Sequence, residues 1–306
     1  MVIIETLVQM SVLVGLGVLF RYFKPAHIVL PSFRGAITDL VFYLLLPALV
    51  LRVLWQAKVG LLSLQISLLA SSSILVAMLL SWIFCKKYHI DNRIAGAAIL
   101  AASFGNITYL GLPVLTAALG DWAASIVIQY DLFAATPLLF TLGIYLAAHF
   151  GQPDAKIQSL KQLVRIPALW AALLAVILNL AAIPLPAILD TVLELVASGV
   201  VPLMLIAIGL SLEWRGLQRQ ALVPLFMVII VQLILMPLYV WSVVDLFDFN
   251  QAQRLALVLE AAMPSMLLGL VFCERFKLDT AFYAAAVTLS TVLSIITLPY
   301  WFVLLS

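Results

Sequence analysis

Charged residues are scarce in this sequence, and their scarcity excludes most soluble folds. Lys, Arg, Asp and Glu make up 10% of the 306 residues, whereas 65% of the residues are hydrophobic. Soluble domains are about 45–50% apolar and about 25% charged. No soluble core could bury this much apolar surface, so the composition predicts an all-α integral membrane protein.

Cysteine and histidine are also few, which excludes two kinds of site. The two cysteines, Cys85 and Cys273, lie far apart, so neither a disulfide framework nor a four-cysteine metal site is expected. The three histidines lack metal-ligand spacing, and we expect no metal and no other cofactor. The basic residues form no run, so no nucleic-acid partner is expected either.

Apolar stretches long enough to cross a lipid bilayer recur along the whole chain. A spanning helix needs roughly 20 residues, and ten such segments fit. They lie at about 4–23, 36–54, 61–85, 93–119, 121–149, 166–183, 188–212, 221–244, 253–273 and 280–304. The longest polar stretch, 150–165, is predicted to be a cytoplasmic linker between two five-helix halves, 1–149 and 166–306.

Lys and Arg are distributed unevenly between the loops. If the N-terminus lies outside the cell, 13 of the 16 basic residues fall in cytoplasmic loops. Cytoplasmic loops carry an excess of Lys and Arg. We therefore expect a multi-pass protein of the inner (plasma) membrane with both termini outside the cytoplasm.

Helix-breaking residues recur at matching places in the two halves. Pro47 of segment two corresponds to Pro202 of segment seven, and Gly105 of segment four corresponds to Pro264 of segment nine. Because each half has an odd number of helices, the second copy must enter the membrane upside down. Such inverted repeats are common in secondary transporters, and broken helices at matching places point to the binding site. We expect two inverted five-helix repeats whose fourth and ninth helices are broken.

The breaks predict a site for an anion. Unpaired backbone in lipid costs several kcal/mol per group, so a break survives only against protein or a wet cavity. The half-helix after a break presents free N–H groups and the positive end of its dipole. A simple kink is the alternative, and we expect one at Pro137, Pro237 and Pro299. Asn106, Thr108 and Ser265 are of the residue types that cap helix N-termini, so we expect them to cap the half-helices that follow the breaks.

Two acids, Asp131 and Glu260, lie inside apolar segments. An acid at the bilayer centre costs at least about 2.5–3.5 kcal/mol on insertion scales and usually marks an ion or proton path. Structural alternatives are that Asp131 holds segment five against segment four, and that Glu260 bonds backbone freed by Pro264. We expect both acids to take part in ion coupling. Asp131 is the better candidate because Glu260 lies close enough to Pro264 to be occupied.

Three stretches of sequence carry a resemblance to a known family: GNITYLGLPV, YDLFAATPLLFTLGIY and EAAMPSMLLGLVFCERFKLDTAFYAAAVTLSTVLSIITLP. Over essentially its whole length the chain resembles the auxin efflux carrier family, in the bacterial PIN-like branch of the bile/arsenite/riboflavin transporter superfamily. Plant members have a proline where this chain has Gly105, and often a long central loop that is absent here.

The resemblance implies a particular architecture and activity. Helices four and nine would cross at their breaks. A transport domain of helices 3–5 and 8–10 would move on a scaffold of helices 1, 2, 6 and 7, often as a homodimer. The resemblance also implies export or exchange of small organic anions.

The residues and the resemblance together predict a secondary carrier for a small carboxylate, working by alternating access. A proton is the expected coupling ion, because protonating an acid removes its repulsion of an anionic substrate. Sodium is the alternative, as in the bile acid symporters that the crossover also resembles. An enzyme is not expected, since the paired aspartates or Ser–His machinery of intramembrane proteolysis are missing. A receptor or channel is not expected, since no output domain or filter is visible. The predicted substrate-binding residues are Gly105, Asn106, Thr108, Tyr109, Gln129, Pro264 and Ser265.

Overall fold

Helices form at every one of the ten apolar segments. The structure, a computed structural model, describes residues 2–25, 27–57, 60–151, 166–211 and 221–306, and the side chains from residue 12 onwards except residue 211. We number the helices after the segments: α1 Val2–Phe23, α2 Leu30–Gln56, α3 Leu61–Lys87, α4a Asn92–Ser103, α4b Ile107–Leu119, α5 Ala123–Phe150, α6 Pro167–Leu180, α7 Ala187–Ala197 with Val200–Ser211, α8 Leu222–Leu246, α9a Gln251–Ala261, α9b Gly269–Arg275 and α10 Thr280–Leu305.

Six helices in the described part of the chain are long and apolar enough to cross a membrane. They are α2, α3, α5, α7, α8 and α10. Three shorter apolar helices accompany them, at Val12–Phe23, Ile107–Leu119 and Pro167–Leu180. The described residues contain no strand beyond one isolated bridge. The all-α membrane class is therefore confirmed, whereas ten spans in two inverted repeats remain a prediction.

The segment bounds differ from prediction where proline or a break intervenes. Helix α2 begins at Leu30, about two turns before the predicted start at 36, with Pro31 in its first turn. A proline fits there because the first N–H groups of a helix have no intrahelical partner. From residue 152 onwards, the predicted linker 150–165 lies outside the described residues.

The most extensive helix contacts join α1 with α7 and α2 with α6. Glycines allow the first of these contacts: a Cβ on Gly209 would lie 2.0 Å from the carbonyl oxygen of Val14. One on Gly17 would lie 2.3 Å from the carbonyl oxygen of Ile206. Small residues let membrane helices approach closely. Helices α1, α2, α6 and α7 thus pack as one group, and α3, α4, α5, α8, α9 and α10 pack mainly with one another.

Polar side chains tie the first group together at one end. Arg52 of α2 contacts two acids of α7, Asp190 at 2.6 Å and Glu194 at 3.3 Å. Asn179 of α6 donates from Nδ2 to the carbonyls of Trp55 and Ala57, both at 2.7 Å. These bonds give Glu194 a structural role between α2 and α7.

The membrane helices contain π-helical turns, and proline accounts for most of them. Proline has no N–H, and its ring clashes with the carbonyl four residues earlier. A turn closed by i→i+5 bonds accommodates both effects. The described residues contain five π turns. Four of them end two residues before a proline: Val41–Leu45 before Pro47, Ile107–Gly111 before Pro113, Asp131–Ala135 before Pro137 and Val231–Leu235 before Pro237. The fifth, Leu139–Gly143, has no such proline.

Two of the carbonyls that proline leaves free accept hydrogen bonds from a neighbouring helix. The carbonyl of Phe133, four residues before Pro137, accepts from Ser67 Oγ of α3 at 2.9 Å. The carbonyl of Leu233, four residues before Pro237, accepts from Trp301 Nε1 of α10 at 2.9 Å. The expected simple kinks at Pro137 and Pro237 are therefore π turns that bond to another helix, whereas Pro299 lies within the regular helix α10.

Candidate functional site

The breaks in segments four and nine meet each other inside the protein. Gly105 and Ser265 form an antiparallel bridge between the two breaks. Two of the N–H groups and two of the carbonyls that a continuous helix would have paired internally are therefore paired across the breaks, which helps the breaks to persist at membrane depth. The two main-chain bonds of the bridge run from Asn106 N–H to Pro264 C=O at 2.6 Å and from Met266 N–H to Phe104 C=O at 3.0 Å.

Buried side chains satisfy further backbone groups around the bridge. Gln232 of α8 donates from Nε2 to the carbonyl of Met263 at 2.7 Å. The N–H of Ser265 donates to Ser290 Oγ of α10 at 3.1 Å, and Ser265 Oγ donates to the carbonyl of Ala101 at 2.7 Å. Ser265 is thus fully engaged in holding the two breaks together.

The expected capping by side chains is not found. Asn106 occupies the N-cap position of α4b but makes no side-chain cap bond. Thr108 donates its hydroxyl proton to Asp131, and Ser265 bonds α4a as described. The prediction was wrong because Thr108 and Ser265 bond elsewhere, and the side chain of Asn106 leaves the first N–H groups of α4b without a partner among the described residues.

Hydrogen-bond donors remain unpaired at the start of α4b. Asn106 is 3% exposed, and its Nδ2 has no partner among the described residues. Nor does any described group accept from the N–H groups of Ile107, Thr108 and Tyr109. A buried donor without a partner costs about 1–3 kcal/mol. These donors lie at the positive end of a thirteen-residue half-helix, so the arrangement suits an anion.

A small cavity of about 90 Å³ adjoins these donors. On one side are residues 104–109 of the first break and residues 266–268 of the second. Asp131 and Thr136 of α5 line another side. Residues of α2 and α6, among them Phe42 and Ala168, line the remaining side. The cavity thus lies between the two helix groups and brings together Gly105, Asn106, Thr108, Tyr109 and Asp131 of the predicted site.

The other predicted site residues do not line this cavity. Gln129 is 1% exposed, and its Nε2 donates to Ser125 Oγ at 2.8 Å, while its Oε1 has no partner among the described residues. Pro264 and Ser265 contribute through the bridge, with only Met266 and its successors reaching the cavity. Pro264 and Ser265 thus join the two breaks and do not line the cavity.

Asp131 is held by two hydroxyl groups. Thr108 of α4b donates to Oδ2, and Thr136 of α5 donates to Oδ1 at 2.8 Å. The bond to Thr108 joins α5 to the half-helix after the break. The structural alternative for Asp131, a bond holding segment five against segment four, is therefore present, and the same carboxyl lines the cavity.

Glu260 lies fully buried, at 1% exposed, and neither of its carboxyl oxygens has a hydrogen-bond partner among the described residues. It packs on Gly111, where a Cβ would lie 2.3 Å from Oε1. It is also within electrostatic reach of Asp131 and Tyr130. The expected bond from Glu260 to backbone freed by Pro264 is not found, because Gln232 and the opposite break serve that backbone instead.

A larger cavity of about 670 Å³ lies between the same two helix groups, farther along the molecule. Its lining includes Arg52 and Glu194 of the first group and Ser125 and Gln253 of the second. Helices α2, α4b and α5 border both cavities. About one helical turn separates the two linings in each of these helices: Leu46 from Leu49, Tyr109 from Leu112 and Ile126 from Asp131.

Sequence reasoning missed three residues that the structure places at the site. Gln232 carried a signal, since it is a polar side chain midway along an apolar segment. Gly111 and Thr136 gave no such signal, because their contacts with Glu260 and Asp131 arise from the packing of distant helices and from a π turn. Among the described residues, no cluster of His, Cys, Asp and Glu could hold a metal ion.

Membrane-spanning helices, paired helix breaks and cavities between two helix groups are features of a membrane transport protein. The family model described as "Membrane transport protein", the auxin efflux carrier family, matches residues 2–302, and the chain belongs to this family. The resemblance found in the sequence is thereby confirmed.

Several similar proteins carry the description "uncharacterized transporter". One from Methanothermobacter thermautotrophicus is 29% identical over 304 residues, which are 98% of each chain. The Methanocaldococcus jannaschii protein MJ1031 is 25% identical over 217 residues, 70% of each chain. Escherichia coli YfdV is 27% identical over 228 residues, 72% of each chain. Family and relatives thus indicate a transporter and not an enzyme.

Proposed function

We propose that this protein is a secondary carrier that binds the carboxylate of a small organic anion at the start of α4b. The observation that carries the proposal is the buried Nδ2 of Asn106 beside three N–H groups of the same half-helix, none of which has a partner in the described part of the chain. A carboxylate would accept from these donors and so relieve their desolvation. Tyr109 supplies a further polar side chain on the same wall of the cavity, and Thr108 takes part through its N–H.

Alternating access is the mechanism that we propose for transport. The two cavities lie between the same two helix groups and are separated by about one helical turn. Movement of the group that contains the breaks against α1, α2, α6 and α7 would enlarge one cavity as it closes the other. The packing of the helices into these two groups supports the transport and scaffold domains that the resemblance implies. We also propose ten spans in two inverted repeats, both termini outside the cytoplasm of a plasma-membrane protein, and a homodimer.

The coupling proton is assigned to Asp131 and Glu260 acting as a pair. Both carboxyls contact the same half-helix, Asp131 at Thr108 and Glu260 at Gly111, so a charge on one opposes a charge on the other. Asp131 is the member that the cavity reaches. Protonating Asp131 removes its repulsion of an incoming carboxylate, which links proton binding to substrate binding.

Sodium coupling is the second candidate, and one observation favours it. Both oxygens of Glu260 and the Oε1 of Gln129 are buried acceptors without partners among the described residues. Oxygen acceptors suit a hard cation. Replacing sodium by choline on both sides of a proteoliposome membrane would abolish accumulation in this case and leave it unchanged under proton coupling.

Counterflow in proteoliposomes tests the carboxylate site. Parent protein should exchange at least one member of a panel of small mono- and dicarboxylates, with saturation. Asn106→Ala should weaken apparent affinity about tenfold or more, because a hydrogen bond to a charged group is worth about 1.5–3 kcal/mol.

Ser103→Ala is the matched control for this variant. Ser103 is also buried and its hydroxyl has no partner among the described residues, but it does not line the cavity. Its exchange should equal that of the parent. Equal affinity in the Asn106 and Ser103 variants would show that the carboxylate binds elsewhere.

A further inference from the structure

The direction of the Asp131 side chain depends on the π turn that it begins. This turn spans Asp131–Ala135, and the N–H of Thr136 donates to the carbonyl of Asp131, an i→i+5 bond. The same two residues are joined by their side chains, since Thr136 Oγ1 donates to Oδ1 at 2.8 Å. Backbone and side chain therefore stack residue 136 directly over residue 131.

A regular α-helix could not make this stack. At 3.6 residues per turn, residues five apart point about 140° away from each other. The π turn adds one residue to the helix. Replacing it by α-helical backbone would rotate Asp131 by about 100° relative to the residues beyond Thr136. A rotation of that size would take the carboxyl away from Thr108 or from Thr136.

Pro137 disfavours the α-helical alternative at this turn. It has no N–H to donate to the carbonyl of Phe133, and its ring excludes that carbonyl from its α-helical position. Ser67 Oγ of α3 takes up the freed carbonyl at 2.9 Å. Pro137 and the bond from Ser67 thus both favour the π turn, because both act on the carbonyl of Phe133.

We propose that Pro137 is a positioning residue for the transport site, which acts through the π turn to direct Asp131 at Thr108 of the half-helix after the break. Pro137 itself does not line the small cavity, so its influence is carried by the backbone. Its importance for transport rests on the proposed role of Asp131, but the geometry it sets can be measured without transport.

Cysteine crosslinking measures that geometry. In a background where Cys85 and Cys273 are replaced by alanine, Thr108→Cys and Asp131→Cys place two thiols where hydrogen-bonded side chains stood. Oxidant or Hg²⁺ should join them in native membranes. Adding Pro137→Ala should lower the crosslinked fraction several-fold, because the helix can then take the α-helical register.

Pro299→Ala is the matched control, since Pro299 lies in a membrane helix without a π turn. It should leave the crosslinked fraction unchanged. Thr136→Val distinguishes backbone from hydroxyl, and it should also leave the fraction unchanged. The proposal is overturned if Pro137→Ala crosslinks like the double-cysteine parent, or if Thr136→Val loses the crosslink while Pro137→Ala keeps it.

Transport by the single variants then separates this inference from the proposed function. With native Asp131, Pro137→Ala should lose the pH dependence of accumulation while Pro299→Ala retains it. A lost crosslink with unchanged transport would uphold the positioning role of Pro137 and refute the role of Asp131 in coupling.

Discussion

Gly111 lies directly beneath the carboxyl of Glu260, and replacing it by alanine tests that contact quantitatively. Gly111 has helical dihedral angles, φ −61° and ψ −48°. Alanine would therefore stabilise the helix by about 1 kcal/mol through propensity alone. Its Cβ, however, would lie 2.3 Å from Oε1 and 2.8 Å from Oε2 of Glu260. Overpacking of this kind costs about 1–3 kcal/mol.

The net effect of Gly111→Ala should thus depend on Glu260. In the parent, the free energy of unfolding should fall by up to about 2 kcal/mol, the overpacking cost less the gain in propensity. In a Glu260→Ala background the clash is gone, and Gly111→Ala should raise the free energy of unfolding by about 1 kcal/mol. The two backgrounds should differ by about 1–3 kcal/mol, the interaction energy of residues in contact.

Equilibrium unfolding in mixed micelles of the four proteins measures this difference. Gly35→Ala is the control, because Gly35 lies in α2 and a Cβ there meets nothing within 4 Å. It should have the same effect in both backgrounds. A difference for Gly111→Ala below about 0.5 kcal/mol, the usual limit of additivity, would show that the two residues are not packed together.

Three further predictions concern coupling, the second break and topology. Asp131→Asn should keep counterflow but lose accumulation against a gradient and the pH dependence of accumulation. Glu260→Gln should reduce accumulation and its pH dependence less than Asp131→Asn does. Parent-like pH profiles of accumulation in both variants would refute proton coupling through these acids. Pro264→Ala adds a backbone N–H that lets the helix continue across the break. Substrate affinity should therefore fall even though the helix gains a hydrogen bond. Unchanged affinity would show that Pro264 is an ordinary kink. A reporter that works only in the cytoplasm should be inactive when fused after Ser306, and strong activity would overturn the proposed orientation and the inverted repeat.

The positions of the membrane helices and of their breaks could be predicted from the local sequence. Hydropathy and the spacing of polar loops predicted a helix at every segment, because partition into lipid depends on local composition. The breaks at Gly105 and Pro264 were also predictable, since glycine and proline act on the backbone at their own positions. Because the two breaks lie at matching places in the two halves, they were predicted to share one site, and the bridge between Gly105 and Ser265 joins them.

The partners of the polar groups could not be read in this way. Capping of α4b by the side chain of Asn106 was a reasonable expectation from neighbouring sequence, but that side chain makes no cap bond. The backbone N–H of Asn106 instead donates to the carbonyl of Pro264, more than 150 residues away. Glu260 was expected to serve freed backbone near Pro264. Gln232, from another helix, serves it instead, which leaves the carboxyl without a partner among the described residues.

The sequence alone determined that this protein lies in a membrane, where its helices fall and where two of them break, because those properties depend on side-chain polarity and backbone chemistry at each position. Only the tertiary structure decided which groups complete the site. Thr136 reaches Asp131 because a π turn changes the helical register, and Thr108 reaches it because a half-helix from another segment packs alongside. Such contacts depend on the relative placement of whole helices, which no local pattern of residues specifies.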